Sequence, residues 1–336
     1  MLTELDYLPD GFLHVEATEL HSVLSGPTLI HLPGRRDNPL FVSILLHGNE
    51  DTGLKAMQAV LKKYRNTPLP RALSLFVGNI EAARHGVRRL ENQLDYNRVW
   101  SSDSNTNAPE HRMARKVIKS MMQRGVFASI DIHNNSGLNP HYACITRLDD
   151  NFLYLAAMFS RIAVYFTSPK SVQCEAFAHL CPAVTLECGK PGGAGGIEHA
   201  ADFVEGTLHL SNFPNHPVAK QDLDLYQSIA VVTVPETISL CVGSGVADLC
   251  LVENIDYYNF QELEPGTRLG VVSSNQSMPL CARNEIGCDV SADYFEVKAG
   301  ELIIRRPVMP AMLTRDTRII RQDCLCYLME RVERRY

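Results

Sequence analysis

The sequence predicts an α/β fold: a mostly parallel, mixed sheet flanked by helices, followed by a smaller C-terminal all-β domain. Three observations carry this. Apolar runs of four to six residues, short enough for strands buried on both faces, recur between residues 41 and 186. Amphipathic helical stretches separate them, the alternation that builds a parallel sheet. Beyond residue 215 the helical spacing stops, and short β-rich runs divided by Gly and Pro turns take over.

Residues 1–40 read as short strands and turns, at 14–17 and 27–34, forming an edge layer. Residues 41–46 form a buried strand that ends at His47. Asp51, Thr52 and Gly53 then open an amphipathic helix over 54–64. Residues 72–77 are a second buried strand. The stretch 79–98 is polar and too charged for the core. Pro109 starts a helix through 122; Glu110 in its first turn and Lys119 and Arg124 near its end suit the helix dipole. Residues 127–132 form a third strand, ending at His133. A helix over 152–162 and a strand over 163–166 follow. The strand 183–186 ends at Glu187, and a glycine-rich loop, 192–196, precedes a helix over 197–210. Residues 212–217 read as a linker. They divide the chain into an α/β domain over 1–215 and a small β-rich domain over 216–336, with strands at 229–234, 239–242, 247–252 and 302–304.

A net charge of −6 and the lack of a long basic block speak against nucleic acid and anionic membranes as partners. No apolar stretch reaches the ~18 residues that span a bilayer. The first eleven residues lack a basic-then-apolar run, so no secretory signal is expected and the expected location is cytoplasmic. The ten cysteines form no CxxC pair and lie mostly in apolar runs. Reduced, buried thiols are therefore expected rather than disulfides.

Three strands of the first domain end in residues suited to catalysis: His47 with Glu50, His133, and Glu187. Ligands of open α/β sheets gather beyond the carboxyl ends of the strands, so all four can meet at one rim. His47, Glu50 and His133 make a two-histidine, one-carboxylate set with short then long spacing. That pattern fits a catalytic zinc site, one Zn2+ per chain, that keeps a position open for water. The alternative is that the histidines are polar strand caps. Asp131 lies two residues before His133, on the same strand face, where a carboxylate can accept the second ring N–H of a metal-bound histidine. Its alternative is a buried polar residue bonded to backbone. Glu187 is placed to act as a general base, or else is an exposed strand-end carboxylate. Arg98 can hold a substrate carboxylate, with Asn97 as a neutral donor beside it, and Arg88 and Arg89 can polarise a carbonyl; otherwise this is a solvated basic loop. Asp131, His141 and Glu198 leave donors for a second metal. The glycine-rich loop lacks the Lys-Ser/Thr of a P-loop.

The motifs His47-Gly48-Asn49-Glu50, Asp95-Tyr96-Asn97-Arg98, Asp131-Ile132-His133-Asn134 and Thr185-Leu186-Glu187-Cys188-Gly189 occur in an order that resembles the succinylglutamate desuccinylase/aspartoacylase family, within the zinc carboxypeptidase superfamily. The resemblance covers residues 40–210. It implies a carboxypeptidase-like fold, with His47, Glu50 and His133 as zinc ligands and Glu187 as general acid/base. Asn97 and Arg98 would bind a substrate carboxylate. Arg89 would polarise the scissile carbonyl, with Arg88 as the alternative in register. The sequence departs from the family in having no arginine between Lys170 and Glu187 and no matching C-terminal tyrosine. The expected activity is hydrolysis of an amide bond in a small carboxylate-bearing substrate, an N-acyl amino acid or a short peptide. A metallocarboxypeptidase and a non-catalytic metabolite-binding protein are the rival readings. A homo-oligomer is compatible with the sequence.

Overall fold

A computed structural model describes residues 2–101, 107–273 and 277–333. The chain divides into two compact units. The first comprises Met1–Asn134, His141–Tyr165 and Pro169–Asp224; the second comprises Asn135–Pro140, Phe166–Ser168 and Leu225–Tyr336. Residues 216–224, expected from the sequence to open the second domain, fall with the first unit.

In the first unit the elements are β1 (Thr3–Leu5), β2 (Thr28–Leu32), β3 (Leu40–Ile44), α1 (Thr52–Lys63), β4 (Leu73–Val77), α2 (Ile80–Arg84), α3 (Pro109–Arg124), β5 (Ala128–His133), β6 (Tyr142–Ile145), α4 (Asp150–Phe159), β7 (Ile162–Tyr165), α5 (Gln173–Phe177), β8 (Ala183–Glu187) and α6 (Ala194–His209). The strand order is β1-β2-β4-β3-β5-β8-β6-β7. The central run β4-β3-β5-β8 is parallel, while β2–β4 and β6–β8 are antiparallel. The sheet is thus mixed and mostly parallel, with helices against it.

Some elements differ from the sequence expectation. Residues 14–17 are not a strand; they lead into a 3-10 turn at Ala17–Ser22, and β1 supplies the edge instead. The helix expected to run to 162 stops at Phe159, because Ser160 is extended and its hydroxyl accepts the Ile162 N–H at 3.0 Å. The sequence reading did not contain β6 or α5, which are only four and five residues long.

The register sorts the residues of the central strands onto two faces. Val42, Ile44, Ile130, Ile132, Val184 and Leu186 lie on one face, all buried. Helix α1 begins against it so closely that a Cβ on Gly53 would lie 2.8 Å from the Ile44 side chain. The other face mixes aromatic and polar residues: Phe41, Ser43, Ser129, Asp131, His133, Thr185 and Glu187. Its apolar end is closed by Phe177 of α5, stacked on Phe41 at 4.3 Å, and by Trp100 set edge-on to Phe177.

The second unit holds β9 (Asp224–Thr233), β10 (Leu240–Val242), β11 (Leu249–Leu251), β12 (Arg268–Val272), β13 (Cys281–Arg283), α7 (Ser291–Tyr294), β14 (Phe295–Lys298), β15 (Glu301–Ile304), β16 (Met309–Ala311), α8 (Thr317–Gln322) and β17 (Cys326–Arg331). An antiparallel group, β13-β9-β17-β16, and a five-stranded sheet, β10-β11-β12-β15-β14, share one apolar core that includes Val232, Leu249, Leu251, Leu302 and Leu328. The two short helices qualify the all-β expectation. The expectation of reduced thiols fails at one pair. Cys241 and Cys250 form a disulfide because β10 and β11 place them directly opposite each other. The other eight cysteines are not disulfide-bonded. No helix among the described residues is long and apolar enough to cross a membrane.

One position makes the turn after β3 testable. A Cβ on Gly48 would lie 2.2 Å from the Ala83 nitrogen and 2.3 Å from the Ala82 carbonyl carbon, both backbone atoms. Gly48→Ala is expected to destabilise the fold by about 1–3 kcal/mol. The check is the urea midpoint at unchanged m-value; an unshifted midpoint would mean that the turn relaxes freely.

Candidate metal centre

Strand β3 stops at Ile44 because the next residue leaves the extended region: Leu45 is buried with φ 54°. This left-handed turn is uncommon for a non-glycine residue. It is held by N–H donors from the end of β4, Gly78 to Ile44 O at 3.0 Å and Asn79 to Leu45 O at 2.6 Å. The chain then turns through Leu46, His47 and Gly48 to Glu50, just ahead of α1.

This turn brings His47 and Glu50 to His133, the last residue of β5. His47 Nδ1 lies 2.8 Å from Glu50 Oε1, and His133 Nδ1 lies 2.8 Å from Glu50 Oε2. The two rings are 4.9 Å apart between centroids, tilted by 59°. One ligand atom from each of the three residues falls within 4.8 Å of the others, and all three residues are buried. Among the described residues this is the one group of three or more histidine, cysteine, aspartate or glutamate side chains gathered so closely.

Each imidazole is backed by a second carboxylate. His133 Nε2 lies 2.8 Å from Asp131 Oδ2, and Asp131 Oδ1 accepts the Ser43 hydroxyl at 2.6 Å. His47 Nε2 lies 3.0 Å from Asp95 Oδ1. Asp95 in turn accepts from the Asn97 N–H at 2.7 Å and from Nε and Nη2 of Arg88 at 3.3 and 3.1 Å. Sequence reasoning had placed Asp95 in a motif without giving it a role. Its position two residues before Asn97 was the available signal, since an aspartate there closes a turn on its own backbone.

The donor set suits a divalent transition metal. Two Nδ1 atoms and one carboxylate converge, and both opposite nitrogens face an oxygen that fixes the tautomer, the support that metal-ligating histidines usually have. The electrostatics agree. Burial pushes the Glu50 carboxyl up, but the imidazoles of His47 and His133 outweigh it and hold Glu50 well below the usual carboxylate range. Burial likewise opposes the charge on Asp95, and His47 with Arg88 outweighs it. For His133, burial favours the neutral ring, yet Asp131 and Glu50 raise its pKa well above the ordinary value. For His47, burial and Arg88 act against the proton, and Glu50 and Asp95 prevail, so its pKa is also raised.

The remaining expected residues lie around this group. Glu187 ends β8 and is buried, directly opposite His133 on the parallel ladder, so both side chains leave the sheet on one face. Arg88 has Nη1 3.8 Å from Glu50 Oε1. Arg89 turns elsewhere, donating from Nη1 to the Gln93 carbonyl at 3.1 Å. Asn97 is buried, its Oδ1 accepting the Gln173 N–H at 3.0 Å and its Nδ2 3.3 Å from His133 Nε2. Arg98 donates from Nη1 to the Asn97 carbonyl at 3.0 Å. His141 and His199 stack on each other at 5.1 Å, outside the three-ligand group.

A family model described as the succinylglutamate desuccinylase/aspartoacylase catalytic domain matches residues 39–213. Among solved structures, the succinylglutamate desuccinylase from Chromobacterium violaceum is similar over 89% of this chain and 86% of its own, with TM-score 0.56 and 16% identity. Murine aminoacylase 3 is similar over 89% and 96%, with TM-score 0.57 and 15% identity. The product-bound ectoine utilization protein EutE from Ruegeria pomeroyi is similar over 91% and 88%, with TM-score 0.55 and 12% identity. At these identities the likeness is one of fold. A search by sequence among curated proteins finds no match.

The geometry gives a prediction for metal binding. Ligation needs neutral imidazoles, and both rings hold their protons above the ordinary histidine value of ~6.5. Zinc uptake by the metal-free protein is therefore expected to expel protons, with an apparent affinity that climbs as pH rises through and above neutrality. Titration calorimetry in buffers of different ionisation enthalpy reads the proton release. His47→Ala is expected to abolish stoichiometric binding, and unchanged zinc content by elemental analysis would dismantle the ligand set.

Proposed function

The chain belongs to the succinylglutamate desuccinylase/aspartoacylase family, and on that footing we propose that it is a zinc-dependent hydrolase of the N-acyl amino acid deacylase type. It cleaves the amide bond of a small carboxylate-bearing substrate. The observation that carries this reading is the convergence of His47 Nδ1, His133 Nδ1 and the Glu50 carboxylate, with Glu187 on the neighbouring rung of the sheet. One Zn2+ held by His47, Glu50 and His133 would supply Lewis acidity, acidifying water and polarising a carbonyl.

The chain's own residues do the rest. Asp131 and Asp95 hold the two imidazoles in the tautomer that presents Nδ1. Glu187 takes a proton from the attacking water and returns it to the departing amine. Arg88 is committed to Asp95. That leaves Arg89, whose guanidinium contacts the Gln93 carbonyl, as the arginine to turn toward a substrate carbonyl. Arg98 is assigned to the substrate carboxylate, since a planar guanidinium can pair with it bidentately. Asn97 lies between Arg98 and His133: its backbone carbonyl accepts from Arg98 Nη1, and its side-chain amide packs against His133 Nε2. The negative groups already buried here would repel a second free carboxylate, so a substrate anion must be met by an arginine.

Glu187→Gln is expected to keep zinc and lose about 10²–10⁴ in kcat. The assay sets a panel of N-acyl amino acids against C-terminal dipeptides. Full turnover by Glu187→Gln would remove that residue from the reaction, and a rate confined to the dipeptides would make the protein a carboxypeptidase.

A further inference from the structure

Helix α1 begins one residue after Asp51, two after the ligand Glu50, yet nothing local caps it. Asp51 accepts no bond from the first backbone N–H groups of its own helix. Its carboxylate instead pairs with the Lys55 ammonium at 2.5 Å and accepts the Gly192 N–H at 3.2 Å. The first N–H groups of a helix have no partner within it. Here the Thr52 N–H is met by a residue 82 positions away: Asn134 Oδ1 accepts it at 3.3 Å.

Asn134 makes three further bonds, and each goes to a different part of the site. Its backbone N–H donates to Glu50 Oε2 at 3.1 Å. Its Nδ2 donates to Thr52 Oγ1 at 2.9 Å and to the Gly189 carbonyl at 2.8 Å. Gly189 lies two residues beyond Glu187 and sits at φ +72°, a left-handed conformation that turns the chain as it leaves β8. The side chain is 4% exposed, so these bonds form away from competing water. One amide thus ties the strand carrying Glu187 to the helix that follows Glu50, directly behind His133.

We propose that Asn134 is a positioning residue: it clamps the exit of β8 to the start of α1 and so sets the general acid/base against the metal ligands. The clamp itself is a matter of hydrogen bonding, while its catalytic consequence rests on the hydrolase reading above. A terminal amide is the group this position needs, since it offers an acceptor and two donors on one short, rigid plane. A carboxylate of the same shape keeps the acceptor for the Thr52 N–H and loses the donors to Thr52 Oγ1 and the Gly189 carbonyl.

The test uses the full-length zinc protein. Asn134→Asp, and the uncharged Asn134→Ser, are expected to retain stoichiometric zinc while deuterium uptake at residues 188–193 rises several-fold. Thr52→Val removes only the hydroxyl that accepts from Nδ2, keeps the Thr52 N–H on Asn134 Oδ1 and with it the tie to α1, and is expected to leave uptake at 188–193 at the wild-type level. In turnover, Asn134→Asp is expected to lower kcat by about 10-fold with KM little changed, because the loss is one of alignment. In a Glu187→Gln background the same change is expected to alter kcat by less than about 2-fold, since residues that act as a unit are not additive. Unchanged uptake at 188–193 in both Asn134 variants, uptake raised equally by Thr52→Val, or an equal kcat loss in both backgrounds would overturn the proposal. Should the wild-type protein turn over neither substrate panel, the hydrolase reading falls, and the uptake measurement still decides the clamp.

Discussion

Two imidazoles share one buried carboxylate, and the rest of the first unit is arranged to make that arrangement tolerable. Taking a carboxylate out of water carries a penalty on the order of several kcal/mol even after relaxation. Glu50, Asp95 and Asp131 are all buried or nearly so, within a space that also holds Arg88. Each negative group is answered: Glu50 by both Nδ1 atoms and the Asn134 N–H, Asp131 by His133 and Ser43, Asp95 by His47 and Arg88. Removing one member leaves its partners charged and unpaired. A cluster of this kind is a poor way to stabilise a fold, because apolar residues of the same volume would do as well or better. Its presence is a physical argument for a task, and the donor set is of a kind that suits a cation.

The sheet makes the cluster geometrically possible. Parallel strands in register deliver neighbouring residues to the same face at the same height, so His133 and Glu187 meet without any loop to guide them. His47 cannot arrive that way, because β3 ends three residues short of it. The left-handed Leu45 redirects the chain, and Gly48 lets it pass against Ala82 and Ala83 of α2 with no room for a side chain. The apolar face beneath, with α1 seated on Ile44 and Ile132, supplies the rigidity from which this turn is launched.

Much of this was legible in the sequence, and what was not has a physical reason. Apolar runs closed by His133 and Glu187 announced two strand ends, because a charge at the end of a buried run needs a partner; the run to His47 announced β3, which stops earlier, at Ile44. Asp131 was legible from strand periodicity alone. Asp95 was not given its role, since it meets His47 across 48 residues of chain and no local period connects them. Asn134 was quoted within a motif and left without a role for the same reason: its partners, Thr52 and Gly189, lie 82 and 55 residues away. Leu45 could not be foreseen, because leucine carries no preference for positive φ. The Cys241–Cys250 disulfide escaped notice because the pairing of β10 with β11 is parallel and joins two three-residue strands.

The two histidines do not have equal support, and the difference bears on how the site works. His133 and its carboxylate Asp131 stand on one strand, two residues apart, with Ser43 of the next strand locking the carboxylate. That half is part of the sheet and cannot shift without breaking ladder bonds. His47 stands on a turn, and its carboxylate Asp95 stands on a separate loop. The loop closes through Asn97 N–H, Arg88 and the Gly48 N–H donating to the Arg88 carbonyl at 3.1 Å. Loops open at lower free energy than central strands. The segment that carries Arg88, Asp95, Asn97 and Arg98 is therefore the part of the site able to adjust. The strand-borne half, His133 with Glu187 beside it, is held in a fixed place by the sheet. On the proposed reading the site holds a cation constantly and admits substrates transiently, and these two demands are divided between its two imidazoles.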